Sequence, residues 1–99
     1  MTEVEAEWRY FRTREVTLAR TWAAEGGIAV HENLFRFRER RTCHLLAVNE
    51  AALVEAAVSL GCSARWMHRS RTLHFDLIEI YLERALVRCG VPLVPESQP

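Results

Sequence analysis

The sequence predicts an α/β (or α+β) fold: a small mixed sheet of about four to six strands backed by two main helices. Three observations carry this expectation. The chain has 99 residues, room for one core and one domain over residues 1–99. Its first half is a series of short β-branched and aromatic runs separated by polar turns. Its second half alternates extended segments with two amphipathic stretches, each closed by a glycine.

The opening reads two ways. Val4, Ala6, Trp8 and Tyr10 alternate with Glu3, Glu5, Glu7 and Arg9, a strand pattern, while Trp8, Phe11, Leu18 and Trp22 fit a helical seam. The β-rich composition of residues 16–22 favours strands at both places. Gly26-Gly27 then forces a turn. Residues 28–30, 34–38 (with Phe35 and Phe37 on one face) and 42–48 read as further strands, with His31 in a loop between the first two. The last of these is nearly all apolar, as a strand in mid-sheet would be.

Asn49 is placed to cap a first helix, Leu53, Ala56, Ala57 and Leu60 form its buried stripe, and Gly61 ends it. Residues 64–68 look like the next strand. After a polar turn comes the extended Leu73-His74-Phe75, then a second helix over about residues 77–89. Its apolar face is Ile78, Tyr81, Leu82, Ala85, Leu86 and Cys89, and Gly90 with Pro92 stops it. Residues 95–99 read as a loose tail.

Formal charge is zero, so nothing global draws the chain to nucleic acid or to acidic lipid. The charges are uneven in kind and place. All thirteen basic residues are arginine, and Asp76 is the only aspartate. Residues 36–71 hold seven arginines against three glutamates, a local excess of four positive charges. No apolar run reaches the roughly 20 residues a membrane span needs, and the acidic start does not resemble a signal peptide. A cytoplasmic protein without membrane contact is expected. Cys43, Cys62 and Cys89 are odd in number and lack C-x-x-C spacing, so buried thiols are expected instead of disulfides or a zinc ribbon.

Chemistry concentrates in the second half. His74 and Asp76 are two apart in an extended segment and so point to one side. If the strand carrying His44 is a neighbour, His44, His74 and Asp76 meet at one sheet edge. Imidazoles and a carboxylate suit a divalent metal ion, and His68 could serve beside them as acid/base. Each residue also has a structural reading: Asp76, three before Glu79, is spaced as a helix N-cap, and a lone histidine in an apolar strand is commonly core. Arg65, Arg69 and Arg71, with Trp66 among them, form a second candidate set that would hold an anion and stack a base, or else a solvated face around a core tryptophan. Gly-rich phosphate loops, H-E-x-x-H and Gly-x-Ser-x-Gly are absent from the sequence.

His44-Leu45, the Leu- and Ala-rich stretch from Leu53 to Leu60-Gly61, His74-Phe75-Asp76 and Gly90 together resemble an uncharacterised bacterial and phage family, the domain of unknown function numbered four thousand and thirty-one. The resemblance spans residues 44–90. It implies a compact α/β domain whose His and Asp residues gather at one site, and it brings no agreed activity. The sequence departs from the family at two acidic positions: Val48 and Asn49 stand where the family has an aspartate after its His-Leu pair, and the N-terminal half has none.

Two functions follow as expectations. One is a small non-catalytic binding domain that takes an anionic, phosphate-bearing small molecule, a nucleic acid or a partner protein in an Arg/His cleft. The other is a metal-dependent hydrolase of the phosphodiester type using His44, His74 and Asp76. Ile80 and Val87, apolar on the polar side of the last helix, point to a homodimer.

Overall fold

The computed structural model describes residues 5–69 and 72–92; Arg71 and the tail at residues 95–99 lie outside them. A four-stranded sheet, in the order β1-β2-β3-β4, is formed by β1 (Trp8–Phe11), β2 (Ile28–Phe37), β3 (Arg40–Leu46) and β4 (Phe75–Leu77). β1 runs parallel to β2, and the other pairs are antiparallel. Three helices accompany it: α1 (Val16–Ala24), α2 (Glu50–Ser59) and α3 (Glu79–Arg88). The sheet is mixed, as expected, and β3 lies inside it. Among the described residues no helix is long and apolar enough to cross a membrane.

Register divides the sheet into two unlike faces, because directly opposed residues share a face and successive residues alternate. Val30 pairs with Leu45, Leu45 with Phe75, and Cys43 with Leu77. This face meets α2 and α3 through Leu53, Ala56, Ala57, Leu60, Leu82, Ala85 and Leu86. Phe75, Leu45, Leu53, Leu60, Leu77 and Leu86 are each under 2 % exposed. At roughly 1.5–3 kcal/mol for each such side chain, this layer is the main source of stability. The opposite face is smaller in its packing: Phe11, Ala29 and Leu46 meet Ala19 and Ala23 of α1, with Trp22 at the margin. α1 therefore covers the β1–β2 side and leaves the β3–β4 side of that face open to polar residues.

The segment at residues 16–22 is thus helical, where its β-rich composition suggested a strand. The reason is topological: parallel β1 and β2 need a crossover, and a helix fills it. Ala19 and Ala23, one turn apart, let that helix sit close on the sheet, while Val16 and Leu18 stay exposed. The first strand is shorter than the alternation implied and begins at Trp8. Residues 28–30 and 34–38 are not two strands but one, and His31, read as loop, lies within it, 8 % exposed, with Nε2 3.0 Å from the Thr13 carbonyl. Opposite it on the other face, the Tyr10 hydroxyl donates to Glu32, and burial with that bond raises the phenol well above its ordinary value.

β2 and β3 are joined by Arg38-Glu39, both with positive φ (52° and 63°), the signature of a type I′ connection. Neither is glycine, so each left-handed residue costs about 1–2 kcal/mol. Between Glu32 and Arg36 the register shifts, which marks a bulge. α2 matches expectation: the Asn49 side chain accepts from Ala52 N at 2.9 Å, and Gly61 follows with φ 95°. Residues 64–68 are not a strand. Ser63 caps a single 3-10 turn, Ala64–Trp66, by accepting from Arg65 N at 3.3 Å. Only His68 pairs with the sheet region, in an isolated bridge to His74. Trp66, expected in the core, is 50 % exposed and meets Tyr81 edge-on at 5.4 Å. α3 begins at Glu79, with Ile78 at its N-cap and no side-chain cap bond.

Candidate functional site

On the open side of the sheet one row crosses three strands: His31 of β2 opposes His44 of β3, which opposes Asp76 of β4. Direct opposition puts the three side chains on one face. His74, two residues before Asp76, joins that face. His68 joins it through the bridge, in which His68 N donates to the His74 carbonyl at 2.8 Å and His74 N to the His68 carbonyl at 3.2 Å. The two imidazoles stack at 5.1 Å with an 11° tilt.

The expected trio converges, and at the β4 edge of the sheet. His44 Nε2 lies 3.2 Å from Asp76 Oδ1, His74 Nε2 3.5 Å from the same oxygen, and His68 Nε2 3.1 Å from Oδ2. One ligand atom from each of His44, His74 and Asp76 falls within 4.8 Å of the others. Asp76 is therefore a strand residue facing three imidazoles, not the N-cap that its spacing from Glu79 suggested. The pairing of β4 with β3 fixes it two residues short of the cap position.

One contact sets the chemistry of His74. Its Nδ1 is 2.8 Å from the Thr72 carbonyl oxygen, which only accepts, so Nδ1 carries the proton. In the neutral ring Nε2 is then a bare lone pair, and it faces the Asp76 carboxylate, which also only accepts. Two acceptors at 3.5 Å repel unless a cation, either a proton on the ring or a metal ion, lies between them. Burial first, and then the neighbouring His74, hold His44 below the ordinary imidazole range, which favours its neutral ring, a form with one nitrogen free to donate an electron pair. Side-chain exposure ranges from 15 % at His74 to 54 % at His68, which leaves the cluster reachable from solvent.

The separations fit a metal. With ligand bonds of about 2.0–2.1 Å, the edge of a tetrahedron is about 3.3 Å; His44 Nε2 and His74 Nε2 stand 3.2 and 3.5 Å from Asp76 Oδ1, on either side of that value, within a trio whose ligand atoms all fall inside 4.8 Å.

The arginine set is placed differently. Both terminal nitrogens of Arg69 reach the Glu50 carboxylate, at 3.0 and 3.1 Å, a two-pronged pair at the start of α2. Arg65 and Trp66 stand exposed on the 3-10 turn. The guanidinium fork expected to receive a phosphate at Arg69 is thus engaged by the protein itself. A wide hollow on the other face of the sheet, lined by Trp8, Ile28, Ala56 and Arg88 among others, holds none of the imidazoles.

Sequence reasoning missed His31, whose ring centroid is 6.4 Å from that of His44, and the Thr72 carbonyl. Backbone acceptors leave no trace in side-chain patterns. Burial of Cys43 and Cys62 and partial burial of Cys89 agree with the expectation of free thiols; burial pushes Cys43 and Cys89 up to about 12, which leaves them poor metal ligands.

Comparison with protein-family models, with curated proteins and with solved structures finds no match to this chain, so the likeness of residues 44–90 to a known family stands on its short motifs alone.

Proposed function

We propose that this domain binds one divalent transition-metal ion through His44 Nε2, His74 Nε2 and Asp76, and that the bound ion supports hydrolysis of a phosphodiester. The observation that carries the reading is the face-off at His74: a nitrogen whose lone pair is fixed by the Thr72 hydrogen bond points at a carboxylate. That outer contact is the usual means by which a ligating histidine is oriented. Two imidazoles and one carboxylate leave coordination positions for water or substrate, and an ion in such a site lowers the pKa of bound water and polarises a phosphoryl oxygen.

The chain's own parts divide the remaining work. Asp76 supplies the carboxylate in a site otherwise made of imidazoles. His68 is the most exposed of the three imidazoles around Asp76 and reaches its other oxygen, a position from which it could pass a proton to a leaving group. Anion capture by an Arg/His cleft is the less favoured reading, since Arg69 is already paired with Glu50.

The test is metal content. Protein stripped with a chelator, exchanged into zinc or manganese and freed of excess should retain close to one equivalent, and His74→Ala and Asp76→Asn should retain almost none. Hydrolysis of bis(4-nitrophenyl) phosphate should appear only with metal. Equal retention by wild type and both variants would remove the site; retention without turnover would remove the hydrolytic half.

A further inference from the structure

Beyond the bulge, the β2–β3 hairpin leaves the body of the protein as an arm. None of residues 34–41 is buried. The arm carries Arg36, Arg38, Arg40 and Arg41 against a single acid, Glu39. Interleaved with them are Leu34, 83 % exposed, and Phe35, 62 % exposed. Exposed aromatic side chains placed among guanidinium groups are the combination that single-stranded nucleic acids engage, phosphates on the cations and bases on the rings.

We infer that this hairpin arm is a binding surface for single-stranded nucleic acid. The charge arrangement favours a polyanion. Arg36 and Arg41 are directly opposed across the hairpin, a like-charge pairing that weakens a sheet unless anions offset it. Arg41 is turned to Glu32 at 3.8 Å. Arg36 meets the Glu39 carbonyl at 3.5 Å, and Arg38 meets Glu79 at 4.0 Å and lies over the Phe37 ring at 5.0 Å. Each guanidinium has five N–H donors, so Arg36 and Arg38 keep most of theirs for a ligand, and Arg40 stands exposed beside them.

The distribution also selects the kind of polyanion. Arg36 and Arg41 share one face of the arm, and Phe37 and Arg40 the other. Cations on both faces suit a flexible strand that wraps the arm; a lipid surface would call for one apolar face with a basic rim. Phe35 needs an unstacked base to receive it, which a duplex does not offer. The arm lies away from the His/Asp cluster along the same strand: Arg40 is four residues from His44, about 13 Å at the rise of an extended chain. Binding there requires no metal, so it stands or falls apart from the metal site.

The experiment is fluorescence anisotropy of a labelled oligothymidylate of about 20 nucleotides, a length that spans a typical single-strand site, in the presence of a chelator. Wild type should bind at low salt and weaken steeply as salt rises. The triple variant Arg36→Gln/Arg38→Gln/Arg40→Gln should lose at least tenfold in affinity, and its log–log salt slope should become shallower by about 2, at roughly 0.7 per phosphate contact. Phe35→Ser, at a surface side chain, should weaken binding by roughly five- to a hundredfold through lost stacking, and it keeps the test intact should the triple variant fail to fold. Absence of wild-type binding at low salt, unchanged affinity in the folded variants, or tighter binding to phosphatidylglycerol vesicles than to the oligonucleotide would overturn the inference.

Discussion

Replacing Asp76 by Asn tests the site where its geometry is most specific. Asn keeps the size of the side chain but removes the charge that faces His44, His68 and His74 at 3.1–3.5 Å. Asp76 is 39 % exposed and Asn places an amide oxygen at the same point, so in the metal-free protein the substitution should cost about 1 kcal/mol at most in total. The metal-free variant should therefore melt within a few degrees of wild type. With metal the two should separate. At a free zinc concentration about a hundredfold above the wild-type Kd, binding stabilises the fold by about 2.7 kcal/mol, or roughly 11–22 °C in Tm for a domain of this size. Loss of a group that only orients a ligand already costs about 10–100-fold in affinity. For a direct ligand the upper figure is the minimum, and at that same zinc concentration the variant would gain only about 0.4 kcal/mol, roughly 2–3 °C. Differential scanning fluorimetry with and without zinc reads both numbers. A variant that keeps the full zinc shift, or a wild type that shows none, refutes the assignment of Asp76 as a ligand.

Other outcomes follow from the rest of the molecule. Leu45→Ala empties a fully buried position between the sheet and α2/α3 and should cost about 2–5 kcal/mol in urea unfolding. Gly27→Ala should displace Trp22, since a Cβ there would lie 2.2 Å from the indole nitrogen that donates to the Glu7 carbonyl; a shift in tryptophan emission together with a lowered Tm would report it, and an unchanged spectrum would contradict it. Cys43 and Cys89 are raised to about 12 by burial, so the folded state favours the protonated thiols. That contribution is complete below the unfolded value of 9.0 and is lost as pH rises from there toward 12, which predicts a falling Tm above pH 9 that Cys43→Ala/Cys89→Ala flattens.

How much of this was legible in the residues differs from element to element. α2 was readable because its signals are local: the Asn49 cap, the Leu53-Ala56-Ala57-Leu60 stripe and the Gly61 stop. α1 was not, because the sequence of residues 16–22 suits a strand, and what makes it a helix is the parallel pairing of β1 with β2, a long-range fact. The 3-10 turn at Ala64–Trp66 was hidden for a related reason, a serine cap on a segment too short to show periodicity. The convergence of His44, His74 and Asp76 was legible as a conditional, given that β3 and β4 are neighbours. His31 was not. A hairpin centred on Arg38-Glu39 pairs Phe37 with Arg40, and an unbroken ladder would carry His31 to Leu46. The bulge between Glu32 and Arg36 moves it to His44. Asp76 misled in the opposite way: its spacing to Glu79 imitates a capping box, yet the helix starts one residue after Ile78 and leaves the carboxylate free for the imidazoles.

X-ray absorption at the zinc edge of the loaded protein addresses the metal assignment most directly, because this chain offers both imidazoles and thiols. Nitrogen and oxygen ligands alone are expected, at about 2.0–2.1 Å, with the outer-ring scattering of two histidines. A sulfur shell at about 2.3 Å, which would bring in Cys43, Cys62 or Cys89, or zinc bound without imidazole, would contradict it.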